Sequence, residues 1–184
     1  MNPHSVSDAP QPQIIVLDTG GQYCHLITRK IRELGVYSEI RPSETPAAEL
    51  RGVKGIVISG GPASVYEEGS PQVDAGIFEL GCGVLGLCYG HQLMAWHLGG
   101  EVSKGEKGEY GLAHLEAAGE AAVFAGAGGR QQIWMSHRDT VTRVPAGFEV
   151  MGSTETCAIA AMGDAGRRLY GLQFHPEVVH TRNG

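Results

Sequence analysis

The residues best suited to covalent chemistry lie in the segment Gly86-Leu87-Cys88-Tyr89-Gly90, between an apolar run and a helical pattern. A G-x-C-x-G segment in that setting predicts a sharp turn that presents the thiol at the top of a sheet. Glycine is needed at both ends because a Cβ there would collide with a neighbouring strand or helix. The helix N-terminus favours the thiolate of Cys88, and the Tyr89 N–H is free to bind an oxyanion. We therefore predict a nucleophile, against the alternative of a buried structural cysteine in a glycine-rich turn.

A base for this thiol is offered near the C-terminus by His175-Pro176-Glu177. Residues two apart in an extended chain point to the same side, and Pro176 fixes the φ angle between them. Glu177 can accept a hydrogen bond from one imidazole nitrogen of His175 and leave the other nitrogen facing Cys88. A His-x-Glu pair is also common on protein surfaces, but no other histidine of the chain has a comparable partner in sequence.

Two further strand ends carry groups that could complete a site. Ser59-Gly60-Gly61-Pro62 follows an apolar strand, and at the carboxyl edge of a parallel sheet the Gly61 N–H could be a second oxyanion donor. The string also resembles the SGG phosphate loop of ATP pyrophosphatases. However, Pro62 removes an N–H and no Asp follows, so we reject a nucleotide site there. The segment 134–139 is expected to be another polar strand end, or else a simple turn.

These residues must be positioned by alternating strands and helices in the first half of the chain. Apolar runs predict strands at 14–17, 36–40, 55–59 and 84–87, and helical spacing predicts helices at 23–34, ended by Gly35, and at 89–98. This alternation predicts an α/β fold with a mostly parallel sheet covered on both faces. The second half offers short strand-like runs at 112–115, 131–135, 148–151, 158–162 and 169–174. They predict antiparallel additions to the same sheet or a small companion sheet.

Length and composition limit the remaining possibilities. The 184 residues fit one domain, with a polar, proline-rich disordered lead-in at 1–12 and the folded domain at 13–184. A net charge of −6 without a basic cluster argues against nucleic acid, and no apolar run reaches the roughly 18 residues of a membrane span. The four cysteines form no CxxC pair, which predicts reduced thiols in the cytoplasm. Cys82, Cys88 and His91 could be proposed as metal ligands, but their spacing fits no zinc pattern, so we expect no metal.

From about Gln13 to its end, the chain resembles a class I glutamine amidotransferase domain and, within that class, the glutaminase domain of GMP synthetase. The resemblance rests on VLDTGGQY (16–23), RELGVYSE (32–39), VISGGPASVY (57–66), GLCYGHQLMAWHLGG (86–100), GEYG (108–111), WMSHRDTV (134–141) and GLQFHPEVVHT (171–181). It implies a flavodoxin-like fold with a mixed sheet, flanking helices and a small additional antiparallel sheet.

The resemblance also implies a reaction and the residues that carry it. The catalytic triad would be Cys88, His175 and Glu177, and the N–H groups of Gly61 and Tyr89 would form the oxyanion hole. The implied substrate-binding residues are Gln92, Ser136, His137 and Asp139. L-glutamine would be hydrolysed through a cysteine thioester to glutamate and ammonia, and the ammonia would pass to an ATP-pyrophosphatase module that aminates XMP. ATP and Mg belong to that module, so no cofactor is expected in this chain.

Two features depart from the family pattern. Arg138 stands where glycine is frequent, which affects the expected geometry of the substrate loop, and the chain stops at Gly184 without a synthetase module. We infer an excised domain or a free-standing subunit that hydrolyses glutamine poorly alone. Two other functions stay open: a γ-glutamyl hydrolase acting on peptides or folates, and a non-catalytic binding module. The lack of a secretory signal argues against the first, and the complete triad argues against the second.

Overall fold

The computed structural model describes residues 11–118, 121–127 and 129–184. Residues 1–10 of the expected disordered lead-in therefore lie outside the described residues. Within the described part, the strands are β1 (Ile14–Asp18), β2 (Ser38–Pro42), β3 (Gly55–Ile58), β4 (Gly83–Leu87), β5 (Glu101–Ala117), β6 (Arg130–Arg143), β7 (Glu149–Ser153), β8 (Ala161–Asp164) and β9 (Leu169–Leu172). The helices are α1 (Cys24–Glu33) and α2 (Tyr89–His97), with short 3-10 helices at Ala47–Leu50, Ala75–Glu79 and Ala122–Phe124.

These strands form one hydrogen-bonded sheet in the order β2-β1-β3-β4-β9-β8-β7-β5-β6. The neighbours β2, β1, β3, β4 and β9 all run parallel, and β8, β7, β5 and β6 continue the sheet in antiparallel pairs. The expected α/β fold with a mixed, mostly parallel sheet is confirmed. Because the carboxyl ends of parallel strands meet at one edge, the loops after β1, β3, β4 and β9 converge there.

The inner parallel strands β1, β3, β4 and β9 are mainly apolar, as expected for strands covered on both faces, whereas the edge strand β2 is mostly polar. Ile15 and Leu17 point toward a core that also contains Leu93 and Met94 of α2. Val16, between them in sequence, points to the opposite core, which contains Cys24 and Ile27 of α1. The helix α1 ends before Gly35, which has a φ of +80°, as predicted for a glycine that stops a helix. None of the helices in the described residues is long and apolar enough to span a bilayer.

The second half of the chain differs most from the sequence-based expectation. The strands expected at 112–115 and 131–135 are parts of β5 and β6, which pair over most of their length and form a long antiparallel ribbon. The segment 134–139 is therefore not a strand end or a turn, because it lies in the middle of β6. The strand expected at 158–162 is also displaced, since 158–160 form a turn and β8 begins at Ala161.

The antiparallel pair β5 and β6 is called the ribbon below. It is paired with the rest of the sheet at few residues. It joins β7 only through the pairs Glu116–Ser153 and Ala117–Gly152. The antiparallel part expected as a small additional sheet is thus continuous with the parallel part. The ribbon also contributes Leu115, Ile133 and Met135 to the core, and it is hydrogen-bonded to residues near the cleft. The backbone N–H of His175 donates to Trp134 O at 3.0 Å, and Gln92 Nε2 donates to Asp139 O at 2.7 Å.

Candidate active site

Cys88 occupies the junction between β4 and α2. Its backbone has a φ of 51° and a ψ of −104°, a conformation that costs a non-glycine residue on the order of 1–3 kcal/mol. Neighbouring strands hold it in place, since the Cys88 N–H donates to Leu172 O at 2.8 Å and the Gly90 N–H donates to Ser59 O at 3.1 Å. The side chain is 5 % exposed and lines a cleft of about 640 Å³. The fold therefore gives up stability to present this thiol to the cleft.

The glycines on either side of Cys88 are required by close backbone packing. A Cβ at Gly86 would lie 2.4 Å from Gly90 O, and a Cβ at Gly90 would lie 2.3 Å from Ile58 O. Both distances are far below van der Waals contact, so the predicted steric need for glycine is confirmed. The turn brings the N-terminus of α2 against the end of β3.

His175 reaches the cleft from the segment that follows β9. Its Nδ1 lies 2.8 Å from Glu177 Oε1, and both side chains are buried. Thr181 Oγ1 donates to His175 O at 2.6 Å, and the Tyr23 ring packs edge-on against the imidazole with centroids 5.4 Å apart. The other side of the ring lies beside Cys88, since a Cβ at Gly60 would lie 3.1 Å from His175 Cε1 and 3.3 Å from Cys88 Cβ.

Charge within this triad favours an imidazolium. Burial alone would lower the pKa of His175, but hydrogen bonds to Cys88 and Glu177, together with the charges of both partners, outweigh it and raise the pKa well above its ordinary value. A protonated His175 beside the Cys88 nucleophile can donate its proton to a leaving group.

Two backbone N–H groups predicted to bind an oxyanion lie close to Cys88. Tyr89 is the first residue of α2, so its N–H has no acceptor inside the helix. Gly61 lines the cleft with Cys88, and a Cβ there would lie 2.6 Å from Thr19 O, so the loop after β3 is packed directly on the loop after β1. Two N–H groups near one thiol are the arrangement that stabilises a tetrahedral oxyanion.

The ribbon contributes the remaining predicted site residues except Gln92, which lies on α2. Ser136 O lies 3.5 Å from Cys88 Sγ, and Gln92 Nε2 donates both to Asp139 O and, at 3.1 Å, to Gln173 Oε1. His137 Nδ1 lies 2.9 Å from Asp139 O. The cleft is lined by every predicted site residue except Tyr89 and Glu177, which are buried beside Cys88 and His175. Arg138, the departure from the family pattern, is exposed on the wall of the cleft.

Sequence reasoning assigns no role to several other cleft residues. Tyr66, Lys104 and Tyr110 also line the cleft. Tyr23 stands in the sequence only as the end of the motif at 16–23, although its ring packs on His175. Lys104 and Tyr110 lie in a glycine-rich segment that is typical of a loop, and only the pairing of β5 with β6 brings them to the cleft.

One cluster in the described residues has side chains that could hold a metal ion. Glu109, His137 and Cys157 have ligand atoms within 4.8 Å of one another. These groups already have hydrogen-bond partners, since Glu109 Oε2 lies 3.2 Å from His137 Nε2 and Thr154 Oγ1 donates to Glu109 Oε1 at 3.3 Å. The cluster ties β5 to β6 and to the segment after β7 without an ion.

Comparisons with known proteins agree on the family. The family model for glutamine amidotransferase class-I matches residues 15–184. The glutamine-hydrolysing GMP synthase of Symbiobacterium thermophilum is 57% identical over 174 residues, which are 93% of this chain and 34% of that protein. The corresponding enzyme of Geobacillus kaustophilus is 52% identical over 176 residues, 95% of this chain and 34% of its own length. The chain thus spans about a third of the length of these curated relatives.

Solved structures show the same architecture. A protein from Thermoplasma acidophilum, assigned as one subunit of a GMP synthase, superposes with a TM-score of 0.83 at 32% identity, covering 95% of this chain and 88% of that one. A glutamine amidotransferase from Thermotoga maritima superposes with a TM-score of 0.72 at 21% identity, over 92% of this chain and 78% of that one. The second similarity concerns the fold alone.

Proposed function

The chain belongs to the class-I glutamine amidotransferase family, and from this premise we propose that it hydrolyses L-glutamine to glutamate and ammonia through a thioester on Cys88. The observation that carries the proposal is the geometry of the buried triad. Cys88 leaves β4 in a strained turn, the His175 ring lies beside it in the same cleft, and Glu177 Oε1 lies 2.8 Å from the Nδ1 atom of His175.

The first half of the reaction forms the thioester. Cys88 Sγ attacks the side-chain amide carbon of glutamine, and the negative charge that develops on the amide oxygen is stabilised by the N–H groups of Gly61 and Tyr89. His175 then donates its proton to the amide nitrogen, the C–N bond breaks, and ammonia departs. The neutral imidazole that remains is oriented by Glu177, which accepts the hydrogen bond from Nδ1.

The second half consumes one water. His175 Nε2 takes a proton from water as it attacks the thioester carbon, and the same oxyanion donors stabilise the second tetrahedral intermediate. Collapse breaks the C–S bond, releases glutamate and restores the thiolate–imidazolium pair. In this scheme Gln92, Ser136, His137 and Asp139 hold the substrate, and the chain needs no cofactor for hydrolysis.

The ammonia has a proposed destination outside this chain. The curated relatives are GMP synthases of which this chain spans about a third, so we assign the product to an ATP-pyrophosphatase module that aminates XMP to GMP, either within the same protein or in a separate one. ATP and Mg would bind to that module. The four free cysteines agree with the reducing cytoplasm, where purine biosynthesis of this kind would take place.

The coupling to a partner is tested by adding the synthetase module of a relative, with ATP and XMP, to this chain. We expect glutamate release to be slow for the chain alone and to rise several-fold with the partner. Full glutaminase activity in the absence of the partner would contradict the proposed coupling.

The glutaminase function itself is tested by comparing Cys88→Ala with Cys82→Ala in a glutamate-release assay. Cys82 is a matched control because it is also a free, partly buried thiol and lies six residues before Cys88. Burial raises the pKa of the Cys82 thiol. We expect turnover to be abolished only in Cys88→Ala, with the fold unchanged by circular dichroism. Equal loss in both variants would overturn the assignment, and faster turnover of γ-glutamyl peptides than of glutamine would replace the proposed substrate.

A further inference from the structure

Thr19 is a buried polar residue next to the cleft. The reaction described above gives it no role. It follows β1 directly, is 1 % exposed, and faces the loop after β3. Its Oγ1 lies 3.0 Å from Gly60 O and 3.1 Å from Ser59 O, and its backbone N–H donates to Ser59 Oγ at 3.0 Å. Thr19 therefore binds the loop that carries the Gly61 N–H through several hydrogen bonds.

The bond to Gly60 O fixes the orientation of one peptide group. In a trans peptide the C=O of one residue and the N–H of the next point in opposite directions, and the described residues contain no cis peptide bond. With the Gly60 carbonyl held toward the Thr19 hydroxyl, the Gly61 N–H must point away from it. No acceptor in the described part of the chain is hydrogen-bonded to this N–H.

The same loop touches the two reacting side chains. A Cβ at Gly60 would lie 3.1 Å from His175 Cε1 and 3.3 Å from Cys88 Cβ. Neither Gly60 nor Gly61 has a Cβ that would select one orientation of the peptide between them, so the groups packed on that peptide select it, among them the hydroxyls of Thr19 and Ser59. If the peptide turned over, the carbonyl oxygen would replace the N–H and repel the developing oxyanion. The orientation of this peptide therefore has to be imposed by a neighbouring group.

We propose that Thr19 is a positioning residue whose hydroxyl holds the Gly60–Gly61 peptide with its N–H available to the oxyanion. The inference rests on the proposed glutaminase function. Thr19 touches neither substrate nor the reacting atoms, and its effect is transmitted through the peptide that it holds. Its hydroxyl should therefore matter for the rate of the chemical step and hardly at all for substrate binding.

The test compares Thr19→Val, which keeps the branched shape and removes the hydroxyl, with Thr19→Ser, which keeps the hydroxyl. Because losing one oxyanion donor costs about 100-fold or more in kcat, we expect a fall of about that size in Thr19→Val with KM nearly unchanged. Thr19→Ser should stay close to the wild-type kcat. The matched control is Thr28→Val on α1, which loses a buried hydroxyl that donates to Cys24 O at 3.0 Å and should leave kcat unchanged.

A second readout separates positioning from general damage. Alkylation of Cys88 by iodoacetamide needs the thiolate and His175 but forms no oxyanion, so its rate should be the same in Thr19→Val and in the wild type. If the wild type is active and Thr19→Val has the same kcat for glutamate release, the inference is overturned. A parallel loss of turnover and alkylation also overturns it, because it shows disruption of the site. A wild-type chain that releases no glutamate overturns the proposed function itself.

Discussion

Two regions of the molecule meet at Cys88 and are built in different ways. On one side is the parallel edge, made of the loops that follow β1, β3, β4 and β9, where buried strands and close-packed glycines leave the backbone little freedom. On the other side is the ribbon, a long antiparallel pair with polar side chains turned inward and only two residue pairs to the rest of the sheet. The parallel edge carries the proposed reacting groups, and the ribbon carries most of the proposed substrate contacts.

This difference assigns different kinetic roles to the two regions. Groups that must be held in a strained or sterically crowded geometry lie where the backbone is fixed on both sides. Groups that enclose the substrate lie on an element that pairs with the rest of the sheet at only two positions in the described residues and is otherwise held by packing of side chains such as Leu115 and Met135. We therefore expect changes at the parallel edge to act on kcat and changes in the ribbon to act mainly on KM.

The largest effect is expected from His175→Asn at the parallel edge. Loss of the imidazole removes the partner of the Cys88 thiolate and the acid that protonates ammonia, so kcat should fall by about 10⁴-fold or more. Steady-state glutamate release measures this, with His114→Asn, an exposed side chain on β5, as the control. A loss of less than tenfold would contradict the role of His175.

A smaller effect, on KM, is expected from Glu109→Gln in the ribbon. Glu109 Oε2 on β5 lies 3.2 Å from His137 Nε2 on β6, and this contact helps to hold the His137 side chain in the wall of the cleft. Weakening it should raise KM for glutamine by up to about tenfold and change kcat much less.

The matched control for this prediction is Glu116→Gln on the same strand. Glu116 pairs with Arg130 at 3.2 Å on an exposed surface, where an ion pair contributes little. Its KM and kcat should stay at wild-type values. A collapse of kcat in Glu109→Gln comparable to that in His175→Asn would break the distinction between the two regions.

Sequence reasoning is most successful where the physical constraints are local. The strands at 14–17, 55–59 and 84–87 and both helices are predicted within one or two residues, because continuous apolar runs and glycine stops identify them directly. The steric need for Gly86 and Gly90 is also predictable, since a turn that sharp has no room for a Cβ.

The antiparallel strands at 112–115 and 131–135 are predicted, but the length of the ribbon around them is missed for a physical reason. Along β6 the buried positions alternate regularly as Gln131, Ile133, Met135, His137, Asp139 and Val141. Half of these are polar, so the apolar alternation that marks a strand is absent from the sequence. The contacts of Thr19 with Ser59 and Gly60 are not predictable either, because they join residues about 40 positions apart through the register of β1 and β3.

The smallest effect concerns stability and not catalysis. His91 on α2 is fully buried, and burial lowers its pKa to about 3. In the unfolded chain His91 binds a proton once the pH falls below its ordinary pKa of 6.5, whereas in the folded chain it stays neutral until the pH is much lower. The free energy of unfolding should therefore decrease as the pH falls below 6.5. The contribution is at most about 1.4 kcal/mol per pH unit.

His91→Gln should reduce this dependence on pH. Urea unfolding at pH 7 and pH 5 measures it, with His25→Gln, an exposed side chain on α1, as the control. An unchanged difference between the two pH values in His91→Gln would show that acid sensitivity arises elsewhere, for example in the ribbon.

Cys88 is proposed to form the covalent intermediate, and the most direct test of this role is to trap that intermediate. The chain is mixed with radiolabelled glutamine, quenched in acid during turnover, digested and analysed by mass spectrometry. We expect a glutamyl thioester on the peptide that contains Cys88. Glutamate release with no labelled peptide, or with the label on Cys24, Cys82 or Cys157, would contradict it.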